Sequence, residues 1–157
     1  MKKLTYFMAF VLMLGVCLIN YGGTVAYAKP APQLSSMQVE AVWDDENNYS
    51  TVSTSYPYSV NSNITFRGKN LYLLTKFVGY PNWATVFYRD NTSNGRAFKC
   101  TTIQREMIGN PATGWYQTVA IPISEFSGSY QNICVTAFSA NGGGSKYTRV
   151  SNIHVQK

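Results

Sequence analysis

Two runs of alternating apolar and polar residues, 130–138 and 147–155, stand on either side of Asn141-Gly142-Gly143-Gly144. A period of two belongs to a strand with one face in a core. An asparagine followed by three glycines supplies the backbone angles of a tight reversal, so this stretch predicts a β-hairpin. On the first strand Ile133, Val135 and Ala137 share one face, and Cys134, Thr136 and Phe138 the other. On the second, strict alternation sets Tyr147, Arg149, Ser151, Ile153 and Val155 against Thr148, Val150, Asn152 and His154.

The preceding sequence has the same grain. Residues 37–43 alternate Met37, Val39, Ala41 and Trp43 against Gln38, Glu40 and Val42. Residues 71–78 are apolar on both faces, which predicts a central strand. Gly79-Tyr80-Pro81-Asn82 turns the chain into a strand over 83–88, and Asn94-Gly95 is a hairpin signal leading into a strand over 96–103. Residues 115–123 alternate cleanly, with Pro122 marking an edge or a strand end. The polar stretch 49–63, with Pro57 inside it, predicts a long loop or an irregular edge segment, and order resumes at 64–66. Arg105-Glu106-Met107-Ile108 is the place for a helical turn, ended by Gly109-Asn110-Pro111. About seven to eight short strands, with turns roughly every eight to twelve residues and no long amphipathic helix, predict an all-β fold: an antiparallel β-sandwich or barrel.

The N-terminus reads differently. Met1-Lys2-Lys3, an apolar run over 6–19 and Ala26-Tyr27-Ala28 make residues 1–28 an expected secretory signal peptide. The alternatives are a membrane anchor, for which the run falls short of the ~20 residues needed, and a lipoprotein at Leu14-Gly15-Val16-Cys17, where Val16 is bulky. Residues 29–36 are an extended, mobile lead-in, and 37–157 form a single domain. Cleavage removes Lys2 and Lys3 from the 13 basic residues, leaving a net charge of about +4 against 7 acids. Mild basicity favours an anionic extracellular polymer or protein surface. Export and the lack of any Lys/Arg run speak against nucleic acid, and cleavage leaves no transmembrane segment.

Cys100 and Cys134 remain after cleavage, an even count in a disulfide-permissive compartment. A bond between them closes a loop of about 34 residues, for ~3–4 kcal/mol in the chain-entropy model; the alternative is two buried free thiols. Enzyme motifs are missing: no G-x-S-x-G, no H-E-x-x-H, no phosphate loop, and a single histidine, His154. Asp90, Glu106 and Glu125 are scattered in or near turns. Asp44-Asp45-Glu46-Asn47-Asn48 offers calcium-type oxygen ligands without the spacing or glycine of an EF-hand, and a solvated acidic turn is the better reading. The expectation is a non-enzyme without metal or cofactor.

Aromatic surface is what the chain has in quantity, with 12 Tyr and 3 Trp. Tyr80, Trp83, Trp115 and Tyr116 lie at strand starts beside turns, where exposed rings stack on sugars or fill protein hot spots. Arg89, Arg96, Lys146 and Arg149, with Arg67 and Lys69, are the anion-facing complement. The competing reading for Trp83 and Trp115 is core packing.

The run Tyr130-Gln131-Asn132-Ile133-Cys134-Val135-Thr136-Ala137-Phe138-Ser139-Ala140-Asn141-Gly142-Gly143-Gly144-Ser145 resembles the penultimate strand and final hairpin loop of fibronectin type III and related immunoglobulin-like domains. That resemblance implies an immunoglobulin-like β-sandwich. Tyr130 stands four residues before Cys134, where a tyrosine corner has two, and an antibody-type disulfide needs a partner earlier than Cys100. The double-lysine leader, the A-x-A site, the P-A-P-x-L start and the Tyr- and Asn-rich β domain are similar to small exported proteins of Bacillus-type Gram-positive bacteria, including the YolA-like group. This likeness implies no activity. The expected function is a secreted binding module, free or wall-associated, that contacts cell wall, glycan or another extracellular polymer. The alternatives are a secreted antagonist (a membrane-active toxin or an inhibitor of an exported enzyme) and a matrix or biofilm component.

Overall fold

The computed structural model describes residues 30–157. The expected signal peptide lies outside the described residues. Nine strands form two sheets: β1 (Ser36–Asp44), β2 (Tyr49–Thr51), β3 (Thr65–Phe66), β4 (Asn70–Val78), β5 (Phe87–Asp90), β6 (Thr101–Ile108), β7 (Gly114–Pro122), β8 (Tyr130–Phe138) and β9 (Ser145–Val155). The larger sheet runs β2-β1-β4-β7-β6 and the smaller β3-β9-β8-β5. All pairings are antiparallel except β3 with β9. The fold is all-β. One hydrophobic core takes Val39, Leu71, Leu73, Phe77, Val119 and Ile121 from the larger sheet and Tyr88, Ile133, Val135, Val150 and Ile153 from the smaller.

The central strand falls where its two apolar faces place it, with β4 between β1 and β7. Pro122 ends β7 and is not on an edge. Other expectations need correction. Residues 105–108 extend β6, because Arg105, Glu106 and Met107 pair with Gln117, Tyr116 and Trp115; the ladder meets backbone needs that an isolated turn would leave to water. The strand expected over 83–88 opens instead with a 3₁₀ turn, Trp83–Thr85, capped by the Asn82 side chain, and extends as β5 only from Phe87. The strand expected over 96–103 starts at Thr101. Before it, Ala97 bridges Arg89, and the Phe98 amide donates to Tyr88, as the chain leaves the smaller sheet for the larger.

The lead-in is extended but docked. Leu34 is buried in the core, its amide donates to Ser139 Oγ, and the Tyr80 amide donates to the Pro32 carbonyl. Gly79, at φ +94°, makes the approach possible, since a Cβ there would sit 2.0 Å from the Gln33 carbonyl oxygen.

Two register shifts change which side chains face out. In β1 the shift lies between Val39 and Ala41; Met37 and Val39 point inward before it, Val42 and Asp44 after it. One extra residue reverses every later side chain, so Ala41 and Trp43 face outward, not with Met37 and Val39 as unbroken alternation implies. In β9 the shift sits opposite Gln131 and Ile133, where Asn152 takes φ +61°. It brings Ile153 and Val155 back into the core beside Val150.

Candidate functional site

The shift in β1 turns Trp43 onto the outer face of the larger sheet. Trp43 pairs with Tyr49 on β2 and with Tyr72 on β4, so three aromatic side chains cross three neighbouring strands in one row. The Trp43 and Tyr72 rings are stacked, with centroids 5.7 Å apart and planes 12° from parallel; Tyr49 lies 6.5 Å from Trp43, tilted by 35°. Tyr49 is 56 % exposed. Beside the row, Ala41 and Leu74 floor a shallow cleft of about 330 Å³, bounded by Trp43, Tyr49 and Asn47.

The acidic turn fixes this row. Tyr72 Oη donates to Asp45 Oδ1 at 2.7 Å, and Asp45 Oδ2 accepts from the amides of Lys69 and Asn70, both at 2.7 Å. The Tyr72 hydroxyl is the main cause holding the Asp45 carboxyl below its usual range, and Asp45 in turn pushes the Tyr72 phenol up. Asp44 accepts from the amides of Glu46, Asn48 and Arg67 and from the Asn48 side chain. Carboxylates surrounded by N–H and O–H donors act as pins for two turns, and donors pointing inward are the wrong environment for a calcium ion. Among the described residues no three or more His, Cys, Asp or Glu side chains gather as a metal site. The outer edges of this row and the cleft beside it make an apolar surface with a polar rim, on which the apolar side of a pyranose ring can pack.

The profile of a domain of unknown function, DUF4879, matches residues 29–154. The chain belongs to this family. No curated protein and no solved structure matches it.

The residues expected to form the DUF4879 site are dispersed. Tyr80, Trp83 and Trp115 do meet, but as an edge-to-face chain leading inward to Phe77: Tyr80–Trp115 at 6.1 Å, Trp115–Trp83 at 5.9 Å and Trp83–Phe77 at 5.5 Å. Both tryptophans are half-buried against the core, and the Arg105 guanidinium covers Trp83 at 4.1 Å. Tyr116 points to the opposite side of β7, with Lys76 Nζ 5.7 Å from its ring centroid. Arg96 is paired with Glu125 at 2.9 Å. Lys146 is half-buried opposite Ala137. Arg89 and Arg149 flank Cys134 on the outer face of the smaller sheet.

The expected disulfide is absent: Cys100 and Cys134 are free thiols. Cys134 shares the outer face of β8 with Thr136 and Phe138, while Cys100 leads into β6 of the other sheet. A side chain aimed away from the opposite sheet cannot bridge to it. Desolvation pushes both thiols up, although Cys100 is the exposed one of the two.

Sequence reasoning set Trp43 on one face with Met37, Val39 and Ala41 and gave neither it nor Tyr49 and Tyr72 a role in the site. The available signal was Val42, an apolar residue on the polar side of the 37–43 alternation and just before the acidic turn.

Proposed function

We propose that this DUF4879 domain is a secreted, non-enzymatic binding module that holds a glycan of the cell wall or another extracellular polymer on the row Tyr49–Trp43–Tyr72. The observation that carries the reading is the outward, pre-set aromatic row: a register shift turns the half-buried Trp43 to the outer face, and Asp45 anchors Tyr72 before any ligand arrives. Preorganised rings avoid an ordering cost on binding.

Secretion is supported by the charged start, the apolar run and the Ala-Tyr-Ala site. The family match begins at residue 29, just past the expected cleavage point. An immunoglobulin-like sandwich is supported by topology: β1-β4-β7-β6 and β9-β8-β5 follow the constant-type order, with β2 and β3 as additions. Tyr130 does not serve as a tyrosine corner; it is 70 % exposed and stacks on His154 at 4.4 Å.

Co-sedimentation with insoluble peptidoglycan and affinity electrophoresis in soluble polysaccharides test the proposal. Retention should fall about tenfold in Trp43→Ala and severalfold in Tyr49→Ala, whose exposed ring can be removed without opening the core. No retention above a control protein, or retention indifferent to both substitutions, overturns it.

A further inference from the structure

The outer face of the smaller sheet has a different character. On β8 the outward residues Cys134 and Thr136 are small and low, Cys134 only 1 % exposed, and Phe138 stands beyond them on the same face, 54 % exposed. Arg89 on β5 and Arg149 on β9 pair with Cys134 from either side, and Phe87 and Tyr147 likewise pair with Thr136. Large side chains on both flanking strands and small ones between them leave a short dip over Cys134 and Thr136, closed at one end by Phe138. Its flanking strands lie about 10 Å apart, two strand spacings. Phe87 is 38 % exposed and Tyr147 71 %.

The charge on this face has one sign. Its outward positions hold no carboxylate; Asp90 pairs with Ile133 and so belongs to the inward side. The Arg89 guanidinium lies over the Phe87 ring at 4.6 Å and donates to the Gly95 carbonyl at 3.0 Å, which fixes its position, while its Nε is buried with no protein partner. Arg149 is exposed.

We infer that Arg89 and Arg149 form an anion clamp above Cys134 that takes a phosphate of a linear phosphate-bearing polymer crossing this face. Guanidinium forks match phosphate oxygens bidentately, and Phe87 and Tyr147 cover the uncharged part of the next repeat. This face is on the opposite sheet from the Trp43 row, and the inference does not depend on glycan binding there.

Calorimetric titration with inorganic polyphosphate of defined length, at several salt concentrations, is the test. Arg149→Ala should weaken binding at least tenfold and lower the slope of log K against log salt by about one. Arg149→Lys should recover only part of the loss, because the charge returns without the fork. Since Arg89 also holds Gly95, the exposed Arg149 is the decisive position and Arg89→Ala is secondary. Trp43→Ala should leave polyphosphate binding unchanged, which separates failure here from failure of the glycan reading. Unaltered binding in Arg149→Ala overturns the inference, as does an equal loss in Lys69→Ala, which would mark diffuse charge attraction. Tighter binding to phosphatidylglycerol vesicles than to polyphosphate overturns it in favour of a membrane surface.

Discussion

The hydroxyl of Tyr88, on the smaller sheet, donates to Thr75 Oγ1, on the larger, at 3.1 Å inside the core. Both residues are buried, and the bond joins the two sheets. Tyr88→Phe should cost about 1 kcal/mol, or roughly 4 °C in Tm. Thr75→Val should cost more, about 1–3 kcal/mol, because it strands a buried phenol; the double variant should be less destabilised than the sum of the two. Urea unfolding of the four proteins checks this.

Burial pushes the Tyr88 phenol well above its ordinary value of 10.0. An acid whose folded pKa is raised keeps its stabilising contribution below the unfolded pKa and loses it as pH rises above that value. Stability should therefore decline from about pH 10 upward, and less steeply in Tyr88→Phe. Chemical denaturation between pH 8 and 11 reads the difference.

Asp45 works in the other direction. Its carboxyl is held below the ordinary 3.8, first of all by the Tyr72 hydroxyl. Its contribution is present above the unfolded pKa and is lost as pH falls through the lower folded value. In Tyr72→Phe the Asp45 titration, followed by carboxyl NMR, should move up toward 3.8. An unchanged titration would mean that the Tyr72 anchor does not hold in solution.

The thiols should behave unequally. Cys100 is exposed and Cys134 buried, so a thiol reagent should label one cysteine of the folded domain and both after unfolding. Labelling of Cys100 should be slower than that of a free thiol, since its pKa is raised from 9.0. Mass spectrometry of the labelled protein would expose a disulfide by the failure of either site to react.

The lead-in is an integral part of the fold. Leu34→Ala should destabilise by about 2–5 kcal/mol, as for other buried leucines. Gly79→Ala should also be costly, because its Cβ would strike the Gln33 carbonyl. Hydrogen exchange should show the Tyr80 amide, bonded to Pro32, losing protection in both variants.

Strand identity was legible where periodicity was long: β4, β7 and β8 each keep a period of two over nine residues. The one-residue shifts at Glu40 and Asn152 were not, because a bulge depends on the register of the neighbouring strand and leaves little trace in its own. The aromatic row followed that miss, since face and register are one variable. Residues 105–108 misled for a related reason: Arg, Glu and Met form helices readily, and pairing with β7 overrides that local preference. For Trp83 and Trp115 sequence neighbours left core packing and ligand contact both open, because their partners, Phe77 and each other, come from separate strands and turns.

Strand β6 lies at the margin of the larger sheet, and all its side chains but Ile108 are exposed. Its free rim presents a row of unmatched peptide groups to any extended chain that drifts close. Arg105 stands on that rim while its guanidinium covers Trp83, so one side chain shields an indole and puts a charge beside the open edge, a common guard against pairing between copies. Replacing it with an uncharged β-former would remove both protections at once, and concentrated solutions would then report a local packing change as turbidity.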